Sequence, residues 1–272
     1  MLVFPKAKIN LGLNITGKRE DGYHNIETIF YPVGLCDALE VVAGAGLPER
    51  DILKVTGYGL EVEPEDNIAL KAVQRLRQIK PFPALRIHLH KAIPAGAGLG
   101  GGSSDAACIL RTVDRMFRLN LPDEILRKIA LELGSDCPYF IDSRPAFATG
   151  RGELLEPVGS ILNGFHIVLL NPGIRVSTRE AYENCEPAIP EKPLKDLINS
   201  PVPGWKDLIR NDFEKTVFRK YPLIAGLKAA LYDSGSLYSS MSGSGSTVYG
   251  IFAGKPDLDG RLREYLIFSG SL

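Results

Sequence analysis

Eleven residues in the first half of the chain, Pro94-Ala-Gly-Ala-Gly-Leu-Gly-Gly-Gly-Ser-Ser104, form a glycine-rich segment between a strand-like run and a helix-like run. Because glycine has no side chain, backbone N–H groups in such a segment can approach an anion closely. The helix that follows directs its positive N-terminal end toward the same point. The segment therefore predicts phosphate binding, and a nucleotide-using enzyme is the first hypothesis.

Two other phosphate motifs fit this segment less well. The spacing Gly96-x-Gly98-x-x-Gly101 matches the dinucleotide fingerprint, but a long segment precedes it. No acidic residue ends a second strand at the distance that fingerprint requires. The Lys of the G-x-x-x-x-G-K-[ST] loop is missing. A purely structural turn would need fewer glycines, so phosphate binding is favoured.

Charge and cysteine content limit the partners and the compartment. The 272 residues carry 32 Lys plus Arg and 32 Asp plus Glu, so bulk charge indicates no nucleic-acid or membrane-surface partner. No apolar run is long enough to cross a bilayer, and a strand pattern begins too early for a signal peptide. The four cysteines are widely spaced and predict free thiols rather than disulfides or a metal site. A cytoplasmic protein is expected, and no oligomeric state follows.

Strand and helix patterns alternate along the chain and predict an α+β fold. Apolar residues at every second position from Ala7 to Leu13 indicate a strand, which a turn at residues 19–22 connects to a returning strand at 23–33. Further strands are predicted over residues 37–43, 53–56, 85–90, 139–141, 146–148, 165–170, 236–241 and 247–252. Helices are predicted from Asn67 as N-cap, from Ser103 or Ser104 as N-cap, and over residues 122–133.

Three motifs in order resemble those of the GHMP kinase superfamily, which includes galactose, homoserine, mevalonate and phosphomevalonate kinases. They are PKAKINLGLNITGKREDGYHNIETIF at residues 5–30, PAGAGLGGGSSDAA at 94–107 and MSGSGSTV at 241–248. Within the superfamily, A-K-I-N-L followed by I-T-G-K-R-x-D-G-Y-H resembles the 4-diphosphocytidyl-2-C-methyl-D-erythritol kinase family. The L-G-S-D-C-P-Y-F segment at 133–140 is similar to the catalytic aspartate region of that family.

The resemblance implies a two-domain fold and a reaction. The N-terminal ATP-binding domain, residues 1–155, would be like domain 2 of ribosomal protein S5, and the C-terminal domain, residues 156–272, would be ferredoxin-like. The implied reaction transfers the γ-phosphate of ATP, with Mg²⁺, to the 2-hydroxyl of a small-molecule substrate that carries a cytidine diphosphate group. This step belongs to non-mevalonate isoprenoid precursor synthesis.

Two residues are candidates for catalysis through this resemblance. Asp136 would accept the proton of the acceptor hydroxyl, and the alternative is a residue that only caps a turn. Lys8 would stabilise charge on the transferring phosphoryl group. Its alternative is a solvated lysine on the outer face of an edge strand. Lys6 shares the face of Lys8 and is the natural control.

The resemblance also assigns binding residues. Tyr23 would supply an aromatic face for cytosine, His24 a donor and acceptor for its edge, Tyr182 a second aromatic stacker, and Asn10 a contact to the erythritol or diphosphate part. Without the motifs, Tyr23 would be a half-buried strand residue and Tyr182 a helix-face residue. The ATP phosphates would be held by Pro94, Ala95, Gly96, Ala97, Gly98, Leu99, Gly100, Gly101, Gly102, Ser103 and Ser104.

Two functional alternatives stay open at this point. A GHMP kinase for another alcohol, such as mevalonate or a sugar, is disfavoured by the A-K-I-N-L block that continues into D-G-Y-H. A non-catalytic nucleotide-binding regulator is disfavoured because both Lys8 and Asp136 are present.

Overall fold

The computed structural model describes residues 1–44, 50–58, 66–183 and 185–272, without the side chain of residue 183. The chain divides into two compact units. The first contains Met1–Ala7, Leu35–Ala95 and Gly100–Arg144, and the second contains Lys8–Gly34, Gly96–Leu99 and Pro145–Leu272. Since residues 8–34 and 96–99 pack with the C-terminal part of the chain, this division differs from the boundary at residue 155, which stays a prediction.

Strands and helices alternate, which confirms the predicted α+β class. The strands are β1 (Leu2–Val3), β2 (Lys6–Lys18), β3 (His24–Cys36), β4 (Ala38–Val42), β5 (Ile52–Gly57), β6 (Arg86–Lys91), β7 (Ala146–Thr149), β8 (Leu154–Pro157), β9 (His166–Leu170), β10 (Tyr238–Met241), β11 (Val248–Phe252) and β12 (Leu266–Ser271). The helices are α1 (Ile68–Ile79), α2 (Gly101–Phe117), α3 (Asp123–Leu133), α4 (Cys137–Asp142), α5 (Thr178–Glu183), α6 (Leu194–Leu197), α7 (Trp205–Leu208), α8 (Glu214–Lys220), α9 (Pro222–Asp233) and α10 (Gly260–Arg263).

The first unit contains a sheet of order β1-β4-β6-β5 together with helices α1 to α4. Strands β5 and β6 are parallel, and β6 pairs with β4 in antiparallel register. Alternate residues of β4 and β6, such as Leu39 and Leu89, are fully buried because one face of the sheet belongs to the core. The Asn67 side chain accepts a hydrogen bond from the Ala69 N–H (2.9 Å), so the predicted N-cap of α1 is confirmed.

The second unit contains two sheets, of order β2-β3-β7-β8 and β10-β11-β9-β12. The two strands predicted near the end of the chain, residues 236–241 and 247–252, are confirmed as β10 and β11. In the second sheet β11 pairs with both β9 and β10 in antiparallel register. Both faces of β2 are buried, so the polar residues Lys8 and Asn10 lie inside the protein. The alternative of a solvated Lys8 on an outer strand face is therefore not observed.

Two local predictions are corrected by the structure. Residues 139–141 lie in helix α4 rather than in a strand, because a three-residue apolar run carries no period that separates the two structures. Pro138, which fits the first turn of a helix, precedes this run. Helix α2 begins at Gly101, and its N-cap is Gly100 rather than Ser103 or Ser104. Glycine takes this position because the backbone there has φ of +70°.

The helices of the described residues are all too short or too polar to cross a lipid bilayer. All four cysteines are free thiols in the structure.

Candidate active site

The N-terminal end of α2 in the first unit is formed by the predicted phosphate segment. Gly100 provides no side-chain hydrogen bond to the helix, and the first turn consists of Gly101, Gly102 and Ser103. The N–H groups of a first turn have no acceptor within their own helix. A 17-residue helix with such an end can bind a phosphate oxygen. Ser103 is half-buried and Ser104 is buried, so Ser103 has the more accessible hydroxyl.

Asp136 lies directly before α4, also in the first unit. Its side chain makes no capping hydrogen bond to that helix, so the alternative of a simple cap is not observed. The next residue, Cys137, is buried, and burial raises the pKa of its thiol to about 11. The same thiol shares a hydrogen bond with Ser103, whose smaller effect is to lower that pKa. The fold thus brings the segment of Asp136 against the first turn of α2.

Lys8 is 3% exposed in the second unit, whereas Lys6 is exposed. The Lys8 ammonium donates a hydrogen bond to Asn10 Oδ1 (2.5 Å) and lies 4.8 Å from the centre of the Phe30 ring. Asn10 Nδ2 in turn donates to Thr28 Oγ1 (3.0 Å) on the neighbouring strand. Lys8 is therefore not the solvated surface lysine of the alternative interpretation, but an oriented charge in a polar network.

Two glycine-rich loops meet beside this network in the second unit. Ser242, in the late loop, donates its hydroxyl to the Gly98 carbonyl (2.8 Å), and its Oγ accepts the Asn10 N–H (3.2 Å). A second bond joins the Thr247 N–H to the Ala97 carbonyl (3.3 Å). The structure therefore brings together parts of all three motifs: β2, residues 96–99 and residues 242–247.

Gly98 is a position where the two loops leave no space for a side chain. A Cβ there would lie 1.9 Å from the Ser242 carbonyl oxygen, and the backbone φ of Gly98 is +77°.

We expect Gly98→Ala to raise the KM for ATP about tenfold, because strain of roughly 1–3 kcal/mol must displace one of the loops. Initial-rate kinetics measure this. Gly254→Ala, in open space, is the control, and equal KM values in the two variants would contradict the prediction.

Asn211 is a site residue that the sequence analysis missed. Its buried Nδ2 donates to the carbonyls of Met241 and Gly243 (both 2.8 Å), and its Oδ1 accepts the Phe213 N–H (3.0 Å). It therefore holds the late glycine loop in place. The only sequence signal was a polar Asn-Asp pair after Arg210, a residue pair that is common in turns.

Tyr23 lies at the turn between β2 and β3 and is 57% exposed. The Arg151 guanidinium lies 4.9 Å from the centre of its ring. Arg151 was also missed, because Gly150-Arg-Gly152 reads as a simple turn. With a cation against the ring and much of its surface exposed, Tyr23 can stack on a flat ligand.

His24 and Tyr182 are stacked, with ring centres 4.9 Å apart and planes inclined by 17°. Tyr182 also packs edge-on against Phe213 at 4.8 Å. Tyr182 is thus a partly buried residue whose ring contacts His24. Burial, and secondarily Lys18, lowers the pKa of His24 below its usual value of 6.5, so the imidazole is neutral at pH 7. A neutral imidazole offers one donor and one acceptor.

Family models match the parts of the chain that contain the second and third motifs. The family model of GHMP kinase N-terminal domains matches residues 67–144, and that of GHMP kinase C-terminal domains matches residues 194–265. The Methanococcus jannaschii mevalonate kinase structure shares the fold, with a TM-score of 0.64 at 14% identity over 97% of this chain and 92% of that chain. The two-domain GHMP kinase fold implied by the motifs is confirmed.

Closer relatives carry a more specific name. The 4-diphosphocytidyl-2-C-methyl-D-erythritol kinase of Parabacteroides distasonis is 49% identical over 99% of this chain and 96% of its own length. That of Bacteroides fragilis (strain YCH46) is 48% identical over 93% and 92%. A crystal structure of 4-(cytidine 5'-diphospho)-2C-methyl-D-erythritol kinase matches with a TM-score of 0.82 at 32% identity, over 100% of this chain and 98% of that chain. This chain belongs to the GHMP kinases and, among them, to the 4-diphosphocytidyl-2-C-methyl-D-erythritol kinase family.

Proposed function

We propose that this protein transfers the γ-phosphate of ATP to the 2-hydroxyl of 4-diphosphocytidyl-2-C-methyl-D-erythritol, giving the 2-phosphate and ADP. The observation that carries the proposal is the β2–β3 hairpin. It holds the buried Lys8 and Asn10 beside the glycine-rich loops and presents Tyr23 and His24 at its turn. The family's named substrate contains both a cytosine and a hydroxyl to be phosphorylated.

The ATP phosphates are assigned to residues 94–104. The uncapped first turn of α2 supports this role, because its N–H groups and its dipole both favour a negatively charged oxygen. The close packing of Gly98 on Ser242 supports it too, since it holds the loop backbone in one conformation. A preformed loop loses little conformational entropy when the nucleotide binds.

Asp136 and Lys8 have separate roles in the proposed transfer. The acceptor oxygen forms a bond to the γ-phosphorus, the bond from that phosphorus to the bridging oxygen of ADP breaks, and the hydroxyl proton moves to the Asp136 carboxylate. Lys8 stabilises the negative charge of the transferring group. Burial strengthens its effect because little water screens the ammonium.

Mg²⁺ accompanies ATP in this proposal. Magnesium ions in kinases are bound by one or two protein oxygens plus the substrate phosphates, not by a cage of side chains. The described residues contain no group of three or more His, Cys, Asp or Glu side chains arranged for a metal. The Ser103 hydroxyl, in the first turn of α2, is the protein oxygen that we assign to the ion. When bound, the ion neutralises part of the phosphate charge.

The cytosine is assigned to Tyr23, His24 and Tyr182. Tyr23 offers the exposed ring, and Arg151 behind it orients that ring and adds positive charge near the diphosphate. Neutral His24 can donate to cytosine N3 or O2 and accept from its amino group. Tyr182 supports the imidazole by stacking, and its direct stacking on cytosine stays a prediction. The four free thiols and the use of ATP support a cytoplasmic location.

The protonation state of His24 predicts a pH dependence of kcat/KM for the cytidyl substrate and not for ATP. Protonated His24 has two donors and no acceptor, so it loses the bond from the cytosine amino group. Because the pKa of His24 lies below 6.5, kcat/KM for the cytidyl substrate should be flat near pH 7 and fall about tenfold per pH unit below that pKa. His24→Gln, whose amide does not titrate, should abolish this decline. A decline that persists in His24→Gln would assign the titration to another group.

An ATP-consumption assay with four acceptors tests the proposed function. It offers the cytidyl substrate, mevalonate, homoserine and galactose at equal concentrations. The proposal expects turnover with the cytidyl substrate at least about 1,000-fold more efficient, because a site built for polar groups rejects ligands that leave them unpaired. Preference for another alcohol would overturn the substrate and leave a kinase. ADP binding without any turnover would favour the non-catalytic regulator.

A further inference from the structure

Three charged side chains are almost completely buried beside the start of α2 in the first unit. Lys91 and Asp105 are each 2% exposed, and Asp37 is 1% exposed. The Lys91 ammonium donates hydrogen bonds to Asp37 Oδ2 and to Asp105 Oδ2, the latter at 2.6 Å. None of the roles proposed above for catalysis or substrate binding uses this triad of Asp37, Lys91 and Asp105.

The triad is bonded to both chain segments that flank the glycine-rich residues. Before them, Asp37 Oδ1 accepts the N–H groups of Ala92 (2.6 Å) and Ile93 (2.8 Å), where β6 leads into the loop. After them, Asp105 lies in the second turn of α2. One lysine therefore connects the point where the chain enters the loop to the helix into which the loop leads.

The start of α2 is also packed directly onto this lysine. A Cβ on Gly101, the first residue of the helix, would lie 2.8 Å from Ile93 Cγ2 and 3.2 Å from Lys91 Nζ. Any side chain at this position would push the helix end away from the triad. The first turn of α2, whose N–H groups would bind phosphate, therefore packs directly against the Lys91 ammonium.

The triad is poorly explained as a source of stability. Two carboxylates share one ammonium, and Asp105 Oδ1 has no hydrogen-bond partner among the described residues. Burial raises the pKa of Asp105 to about 7, against the opposing effect of Lys91. A buried ion pair adds little to the free energy of folding when the cost of removing its charges from water cancels their attraction. The alternative role of such a pair is to fix one conformation of the chain.

We propose that Asp105 is a positioning residue for nucleotide binding, which acts through Lys91 and Asp37 to fix the start of α2 and the entry to the glycine-rich loop. The proposal rests on the assignment of ATP to that loop. Asp105 does not touch the nucleotide. It holds the N–H groups of the first turn at the place where phosphate oxygens bind.

Asp105→Asn tests this role, because it keeps the shape of the side chain and leaves Lys91 paired with Asp37. Lys91→Met is unsuitable, since it leaves two buried carboxylates without a counter-charge. Isothermal titration with ADP in Mg²⁺ buffer, and separately with CDP, measures both ligands without turnover. We expect the dissociation constant for ADP to rise about tenfold and that for CDP to change less than about twofold.

Asp114→Asn is the matched control, because it makes the same change near the other end of α2, where Asp114 accepts the Leu121 N–H (3.0 Å). It should leave ADP binding unchanged. Wild-type affinity for ADP in folded Asp105→Asn would overturn the proposal, as would an equal loss for ADP and CDP with a lowered melting temperature. If Asp105→Asn does not fold, Asp105→Leu gives the same comparison. Absence of ADP binding in the wild-type protein would instead refute the nucleotide assignment itself.

Discussion

Asp136→Asn should lower kcat at least about 100-fold while the protein stays folded and keeps its affinity for both substrates. The amide has the size of the carboxylate but cannot take the proton of the acceptor hydroxyl. Because the Asp136 side chain makes no capping hydrogen bond to α4, the substitution removes no cap from that helix. Pre-steady-state kinetics with a single ATP turnover isolate the chemical step from product release.

Asp142→Asn is the control for this experiment. It changes the same residue type at the other end of α4, where Asp142 pairs with Arg127 (2.6 Å) at the surface. Its kcat should stay within about twofold of wild type, since exposed ion pairs contribute little. Turnover of Asp136→Asn near that of Asp142→Asn would remove Asp136 from the mechanism.

Lys8→Met should also lower kcat, by about 100-fold, because it removes a buried cation that stabilises charge in the transition state. Methionine fills a similar volume, so the packing around Phe30 is kept. The loss should appear in kcat more than in either KM if the ammonium interacts chiefly with the transferring phosphoryl group.

Lys6→Met is the matched control, two residues away on the same strand. Lys6 is exposed and Lys8 is 3% exposed, so the structure predicts very different effects from identical substitutions. We expect Lys6→Met to keep kcat within about twofold of wild type. Equal losses in the two variants would mean that the effect comes from the strand and not from the Lys8 ammonium.

The sequence predicted the elements whose signals are local. Alternation in β2, the Asn67 cap of α1 and the strand that leads into the glycine-rich segment all follow from a few neighbouring residues. The start of α2 was misplaced because Ser103 and Ser104 are good caps by residue type. The backbone at Gly100 is left-handed, a conformation that favours glycine, and Gly100 is therefore the N-cap of α2.

Long-range contacts could not be predicted from local patterns. Asn211 bonds to the loop of Met241 and Gly243, thirty residues later in the chain, and no pattern at Asn211 indicates this. The burial of Lys8 was equally hidden, because period-two alternation marks one face as apolar and leaves open whether the other face is covered. Motif resemblance singled out Lys8, and its burial by packing makes that role physically reasonable.

The central claim is the identity of the phosphorylated group, and analysis of the reaction products tests it most directly. The wild-type protein is incubated with ATP and 4-diphosphocytidyl-2-C-methyl-D-erythritol, and the products are examined by ³¹P and ¹³C NMR. The account predicts ADP and one new phosphomonoester in equal amounts, with phosphorus coupling to C2, the carbon that bears the methyl group. A phosphate on another hydroxyl, or ADP without a new ester, would contradict it.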